Sequence, residues 1–98
     1  MKVTKLKIDT KHDIKNFFNI LFKNKKYNDK ILNSIIFGIN NDLIKVKVFE
    51  LHMIESKVNI TYHRNKWDEI LNILMKYYIE IEEYEKCTII KKLLENEY

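Results

Sequence analysis

The chain has no proline, one glycine (Gly38) and one cysteine (Cys87). Without proline, no helix or strand is broken by a missing amide donor, and a lone glycine leaves no flexible linker. A single cysteine excludes both an intramolecular disulfide and a cysteine-rich zinc site, and it suits a reducing compartment. One glycine also excludes a glycine-rich phosphate loop. No apolar run approaches the roughly 18 residues of a membrane span. The opening Met1-Lys2-Val3-Thr4-Lys5-Leu6-Lys7 is charged throughout, unlike a signal peptide. The expectation is a cytoplasmic protein that stays off the membrane.

The 98 residues include 46% hydrophobic side chains, sixteen of them isoleucine, and 33% charged ones. That is one domain with enough apolar mass for one core. The net charge of +4 is unevenly spread. Residues 1 to 63 carry twelve lysines against six acids, whereas residues 64 to 98 carry six bases against eight acids. A basic part over 1–64 is therefore joined to an acidic part over 65–98, and each could meet a partner of opposite charge.

Hydrophobic periodicity gives the elements. Residues 2 to 9 alternate as a strand, with Leu6 and Ile8 on one face and Lys5 and Lys7 on the other. Thr10 is placed to cap a helix, with Asp13 in the capping-box position. Ile14, Phe17, Phe18, Leu21 and Phe22 then recur at the spacing of one helical face. Lys23 to Lys26 would sit at that helix's C-terminus and complement its dipole.

Residues 28 to 40 fit a helical face through Ile31, Leu32, Ile35, Ile36 and Ile39. Their β-branched side chains, Phe37, Gly38 and the Asn40-Asn41-Asp42 run fit a strand entering a turn, and the strand reading is preferred. Ile44, Val46 and Val48 alternate with Lys45 and Lys47 before Phe49, Leu51 and Met53 take over the apolar phase. That shift predicts a bulge near Val48 and Phe49. Val58, Ile60 and Tyr62 continue as the second strand of a hairpin over 43 to 63.

Asn65 is placed to cap a helix over 65 to 81, whose apolar arc is too wide for one neighbour. The sheet on one side and a second helix over 84 to 95 on the other would cover it, as an αα-hairpin. The expected fold is α+β: an antiparallel sheet of three to four strands packed by an N-terminal helix and a C-terminal αα-hairpin.

Catalytic chemistry finds little support. His12, His52, His63 and Cys87 form no recognised metal-ligand spacing, and Cys87 lies in an apolar ridge where a thiolate is disfavoured. No cofactor, metal or catalytic residue is expected, and the chain reads as a binding module rather than an enzyme. Two surfaces are candidates. Lys5, Lys7, Lys45 and Lys47 would form a basic sheet face, with Lys25 and Lys26 nearby and Tyr27 or Phe49 available to stack on bases. Tyr78, Glu82, Glu83, Tyr84 and Glu85 would form an acidic, aromatic hairpin surface that suits a protein partner or a second copy of the chain.

Met75-Lys76-Tyr77-Tyr78-Ile79-Glu80, Glu83-Tyr84-Glu85-Lys86-Cys87 and Ile90-Lys91-Lys92-Leu93-Leu94 together resemble the UVR motif. That family has a short helical hairpin whose turn reads acidic-aromatic-acidic-Lys-small. The resemblance spans about 20 residues of this sequence, 75 to 94, and implies a hairpin that binds another protein or its own copy. Bulky Tyr77, Tyr78 and Ile79 stand where that family prefers small residues. The order helix, strand, strand, strand, helix over residues 10 to 80 also looks like the double-stranded RNA-binding domain. Abundant Asn, Lys and Ile resemble the AT-rich coding of small phage or mobile-element proteins. The resulting expectation is a protein-interaction module, such as a phage-type inhibitor of a host nucleic-acid enzyme or an anti-CRISPR-like inhibitor of a defence nuclease. Direct RNA or DNA binding by the lysine face is the alternative.

Overall fold

The computed structural model describes residues 3–8, 11–96 and 98, the side chains of 11–13 excepted. Strand β1 (Thr4–Lys7) is followed by helices α1 (Lys11–Ile20) and α2 (Lys25–Asn40), the hairpin of β2 (Lys45–His52) and β3 (Lys57–His63), and helices α3 (Trp67–Glu80) and α4 (Tyr84–Glu95). The protein is α+β, with a three-stranded mixed sheet and four helices. The capping reading of Thr10 and Asp13 lies outside the described residues.

The preferred strand over 28 to 40 is instead all but the first turn of α2 (Lys25–Asn40), and this corrects the sheet as well. Asn24 opens α2, its Oδ1 accepting the Tyr27 amide at 3.0 Å. Ile31, Leu32 and Ile35 of α2 are fully buried. With two helices between β1 and β2, the chain crosses over and β1 pairs parallel to β2, so the sheet is not all antiparallel. The order is β1-β2-β3, with β2 central. The dsRNA-binding-domain order fails for the same reason, since only two strands lie between α1 and α3.

Gly38 is not a turn residue. An added Cβ there would lie 2.7 Å from the Trp67 ring and 2.8 Å from a Val46 methyl, so the glycine lets the indole press against α2. Trp67 is completely buried, and its Nε1 donates to the Tyr62 carbonyl at 3.0 Å. This one side chain joins α2, β3 and α3. Helix α3 lies against α2 and the 3₁₀ turn Leu21–Lys23, and packs α4 along its other side.

Both α2 and α3 end without glycine by the same closure. Leu43 and Glu83 donate their amides back to the carbonyls of Gly38 and Tyr78, while Asp42 and Glu82 adopt left-handed φ values of 54° and 61°. The Asn-rich stretch thus terminates a helix, and the αα-hairpin turns at Glu82 despite having neither glycine nor proline there. Asn65 does not cap α3: it lies inside the 3₁₀ turn Arg64–Lys66, and no side chain caps the helix.

The predicted bulge is present between Lys47 and Phe49. It places Val46, Val48, Phe49 and Leu51 all in the core. Phe18, assigned to the buried face of the first helix, is 49% exposed. The apolar stripe there is narrower than its spacing suggests, and Phe17 and Leu21 carry the burial.

Candidate nucleic-acid interface on the sheet

Strand register decides which lysines share a face, because paired residues project to the same side. Lys5 lies opposite Glu50 and Lys7 opposite His52 across β1 and β2. Lys45 faces His63, Lys47 faces Thr61, Glu50 faces Asn59 and His52 faces Lys57 across β2 and β3. The helices pack on the opposite face, with Val46 and Phe49. Among the described residues the outer face therefore carries Lys5, Lys7, Lys45, Lys47 and Lys57, all exposed, with His52, His63 and one acid, Glu50.

Glu50 sits at the centre of this surface, covered by its neighbours' side chains rather than by the core. Lys57 Nζ lies 3.2 Å from Oε1 and Lys47 Nζ 3.3 Å from Oε2. His52 Nε2 is 3.1 Å from Oε1, a charge contact when the ring is protonated but without hydrogen-bond geometry. Hydrogen bonding from Lys57, aided by Lys47 and opposed by desolvation, holds the Glu50 carboxyl below its usual pKa. Lys5, Lys7 and Lys45 have no acidic partner among the described residues. Beside Lys5 and Lys7, a shallow groove of about 350 Å³ is lined by Leu6, Ile8, Met53 and Ile54.

Lys25 and Lys26 do not join this face. They open α2, where cations oppose the helix dipole, instead of closing α1 as the run suggested. Lys25 is held 3.1 Å from Asp29 and 3.4 Å from Glu83, and these two acids raise its pKa. Neither proposed stacking residue is on the face. Phe49 is fully buried, edge-to-face with Phe17 and Tyr27, and Tyr27 is part of the same cluster. The two histidines are the only rings on the outer face among the described residues.

The hairpin surface is also reduced. Tyr78 is fully buried, and its hydroxyl donates to Asp29 Oδ1 at 2.6 Å. Lys86 donates to the same oxygen at 2.6 Å and lies over the Tyr78 ring. Burial works to raise the Asp29 pKa, but hydrogen bonds from Lys86, Tyr78 and Lys25 outweigh it and keep the carboxyl below its ordinary range. Glu83 is engaged by Lys25. Glu82, Tyr84 and Glu85 remain exposed, Tyr84 at 61%. Cys87, expected in the core, is only partly buried, with Sγ 4.0 Å from the Met75 carbonyl oxygen.

A third cluster was not anticipated. Arg64 donates to the main-chain oxygens of Leu43 and Tyr98 at 2.7 and 2.8 Å, and stacks on the Trp67 and Tyr98 rings. Tyr98 in turn donates to Asp68. These contacts tie Arg64 to its own fold. Among the described residues, no group of three His, Cys, Asp or Glu side chains could hold a metal ion, and no helix is long and apolar enough to cross a membrane.

Comparison of the chain with protein-family models, curated proteins and solved structures gave no match.

Proposed function

We propose that this protein is a binding module without chemistry of its own, and that its working surface is the outer sheet face, which takes the phosphate backbone of a nucleic acid. Support comes from one observation above all: among the described residues, five lysines share an exposed face with a single glutamate. A structural need for so many cations is missing there, since three of the five have no acidic partner among the described residues. Lysine heads are mobile point charges that neutralise phosphates without reading bases. With no Phe, Tyr or Trp on the face, base stacking contributes little, so recognition is electrostatic and tolerant of sequence.

The test is binding of a labelled single-stranded oligonucleotide over a salt series. Engagement of about five phosphates gives a slope of log K against log salt of roughly −3 to −4. Lys45→Glu with Lys47→Glu should flatten that slope by about 1 to 1.5. No retention at low salt, or an unchanged slope in the double variant, rules the face out.

A second reading rests on Tyr84. This tyrosine stands exposed at the hairpin tip between Glu82 and Glu85, and such a tip suits a basic protein partner, as an inhibitor of a nucleic-acid enzyme would require. Tyr84→Ala would then abolish capture of that partner and leave oligonucleotide binding intact.

A further inference from the structure

We infer that β3 pairs antiparallel with β3 of a second copy of this chain, about a two-fold axis through Ile60, joining two sheets into one of six strands. The interface is the open edge of the sheet, not the helical hairpin, and the inference stands whether or not the lysine face takes nucleic acid.

The hydrogen-bond alternation of the β2–β3 hairpin fixes which groups the ladder leaves unused. Met53 N–H donates to Ser56 O at one end and Arg64 N–H donates to Ile44 O at the other. Even-numbered residues of β3 therefore turn their main chain toward β2, and Lys57, Asn59, Thr61 and His63 turn theirs to the open edge. Four N–H and four C=O groups in a row are a template for another strand.

Among the registers that pair the edge with itself, one uses every group. Centring the axis on Ile60 sets Asn59 against Thr61 and Lys57 against His63 of the other copy. Every outward-facing residue then meets an outward-facing partner, and all eight groups of each copy are used. The same register sets Ile60 against Ile60 and Val58 against Tyr62 on the inner face. Those residues are where the helical layer is thin: no β3 side chain is fully buried, and Val58 is 39% exposed. On the outer face Lys57 is already held by Glu50, so it meets His63 without two bare lysines in contact. A two-fold axis perpendicular to the sheet keeps both outer faces on one side. The lysine surface becomes continuous across the dimer.

Sedimentation over a concentration series should show a species of twice the 12.0 kDa chain mass. Thr61→Pro removes an edge-facing N–H that the β2 ladder does not use, and should give a monomer with native circular dichroism. Should that variant unfold, Val58→Lys serves instead, since its side chain is already partly in solvent. In a Cys87→Ala background, Ile60→Cys should cross-link to itself, because residues paired at such an axis have Cα atoms about 4.5 Å apart. Asn59→Cys mixed with Thr61→Cys should cross-link better than either alone. A monomer at millimolar concentration overturns the inference. So does a dimer that keeps its mass in Thr61→Pro and Val58→Lys, or one that is lost in Ile89→Lys on the hairpin surface.

Discussion

Asp29 and Glu50 each gather cations, and the two clusters do opposite things. Asp29 lies at the junction of α2, α3 and α4, where it binds Lys25, Lys86 and the Tyr78 hydroxyl. With Glu83 it brings two acids to two lysines, so the charges there cancel and what remains is a clasp holding the hairpin to the rest of the fold. Glu50 lies on an open sheet face among five lysines and two histidines, where one carboxylate offsets only a fraction of the positive charge. A balanced, half-buried cluster fixes structure. An unbalanced, exposed one leaves a field for a ligand, because surface ion pairs add little stability and long lysines can move to new partners.

The largest expected effect belongs to the structural side. Trp67→Ala should cost about 3–5 kcal/mol in denaturant unfolding, since the indole fills the contact with Gly38 and bonds Tyr62. Asp29→Ala should cost about 1–3 kcal/mol by leaving the buried Tyr78 hydroxyl and the Lys86 ammonium without their acceptor. A cost near zero would remove the distinction between the two clusters.

The same cluster has a pH signature. The folded Asp29 pKa lies below its ordinary 3.8, so its contribution is complete above about pH 4 and disappears as the pH falls through the depressed value. Asp29→Asn should therefore lose less melting temperature between pH 4 and pH 2 than the parent chain does. Parallel curves would show that Asp29 is not coupled to folding.

On the sheet the order of effects reverses. Lys45→Glu with Lys47→Glu should cost less stability than Asp29→Ala, mainly the ion pair of Lys47 with Glu50 and the repulsion that replaces it, while sharply weakening polyanion binding. Smallest of all, Glu50→Gln should leave the denaturant midpoint nearly unchanged, because paired surface charges add little stability. It should strengthen oligonucleotide binding, because Lys47 and Lys57 are released from it. Weaker binding in Glu50→Gln would mean that the glutamate orders the lysines for the ligand instead of competing with it.

Parts of this arrangement were legible in the residues. The 43–63 hairpin and the final αα-hairpin follow from periodicities that run for several residues, and the bulge follows from the one break of phase near Val48 and Phe49. The alternation of Lys5, Lys7, Lys45 and Lys47 already placed them on outer faces, although only the register showed those faces to be one. Lys57 and Glu50 carried the same alternation signal, and could have been added by extending the hairpin pairing across both strands.

Other features depend on contacts distant in sequence. Helix α2 presented valid helical spacing, but Gly38 and the Asn40-Asn41-Asp42 run resemble strand and turn punctuation unless Trp67, twenty-nine residues on, is known to occupy the space above the glycine. That misreading carried into the sheet, because a strand at 28–40 would have made a parallel β1 unnecessary. Tyr78 had the composition of an interface residue, and its partner Asp29 lies 49 positions away. Nothing local distinguishes a tyrosine that meets a partner protein from one that closes its own fold.

The separation of a structural cluster from a binding face is tested most directly by oligonucleotide affinity against salt, for the parent chain and for Lys45→Glu with Lys47→Glu. The proposed function predicts a slope of roughly −3 to −4 in the parent and one about 1 to 1.5 flatter in the variant, with both proteins giving the same folded circular dichroism spectrum. Equal slopes, or binding that ignores salt, would contradict the assignment of the sheet face.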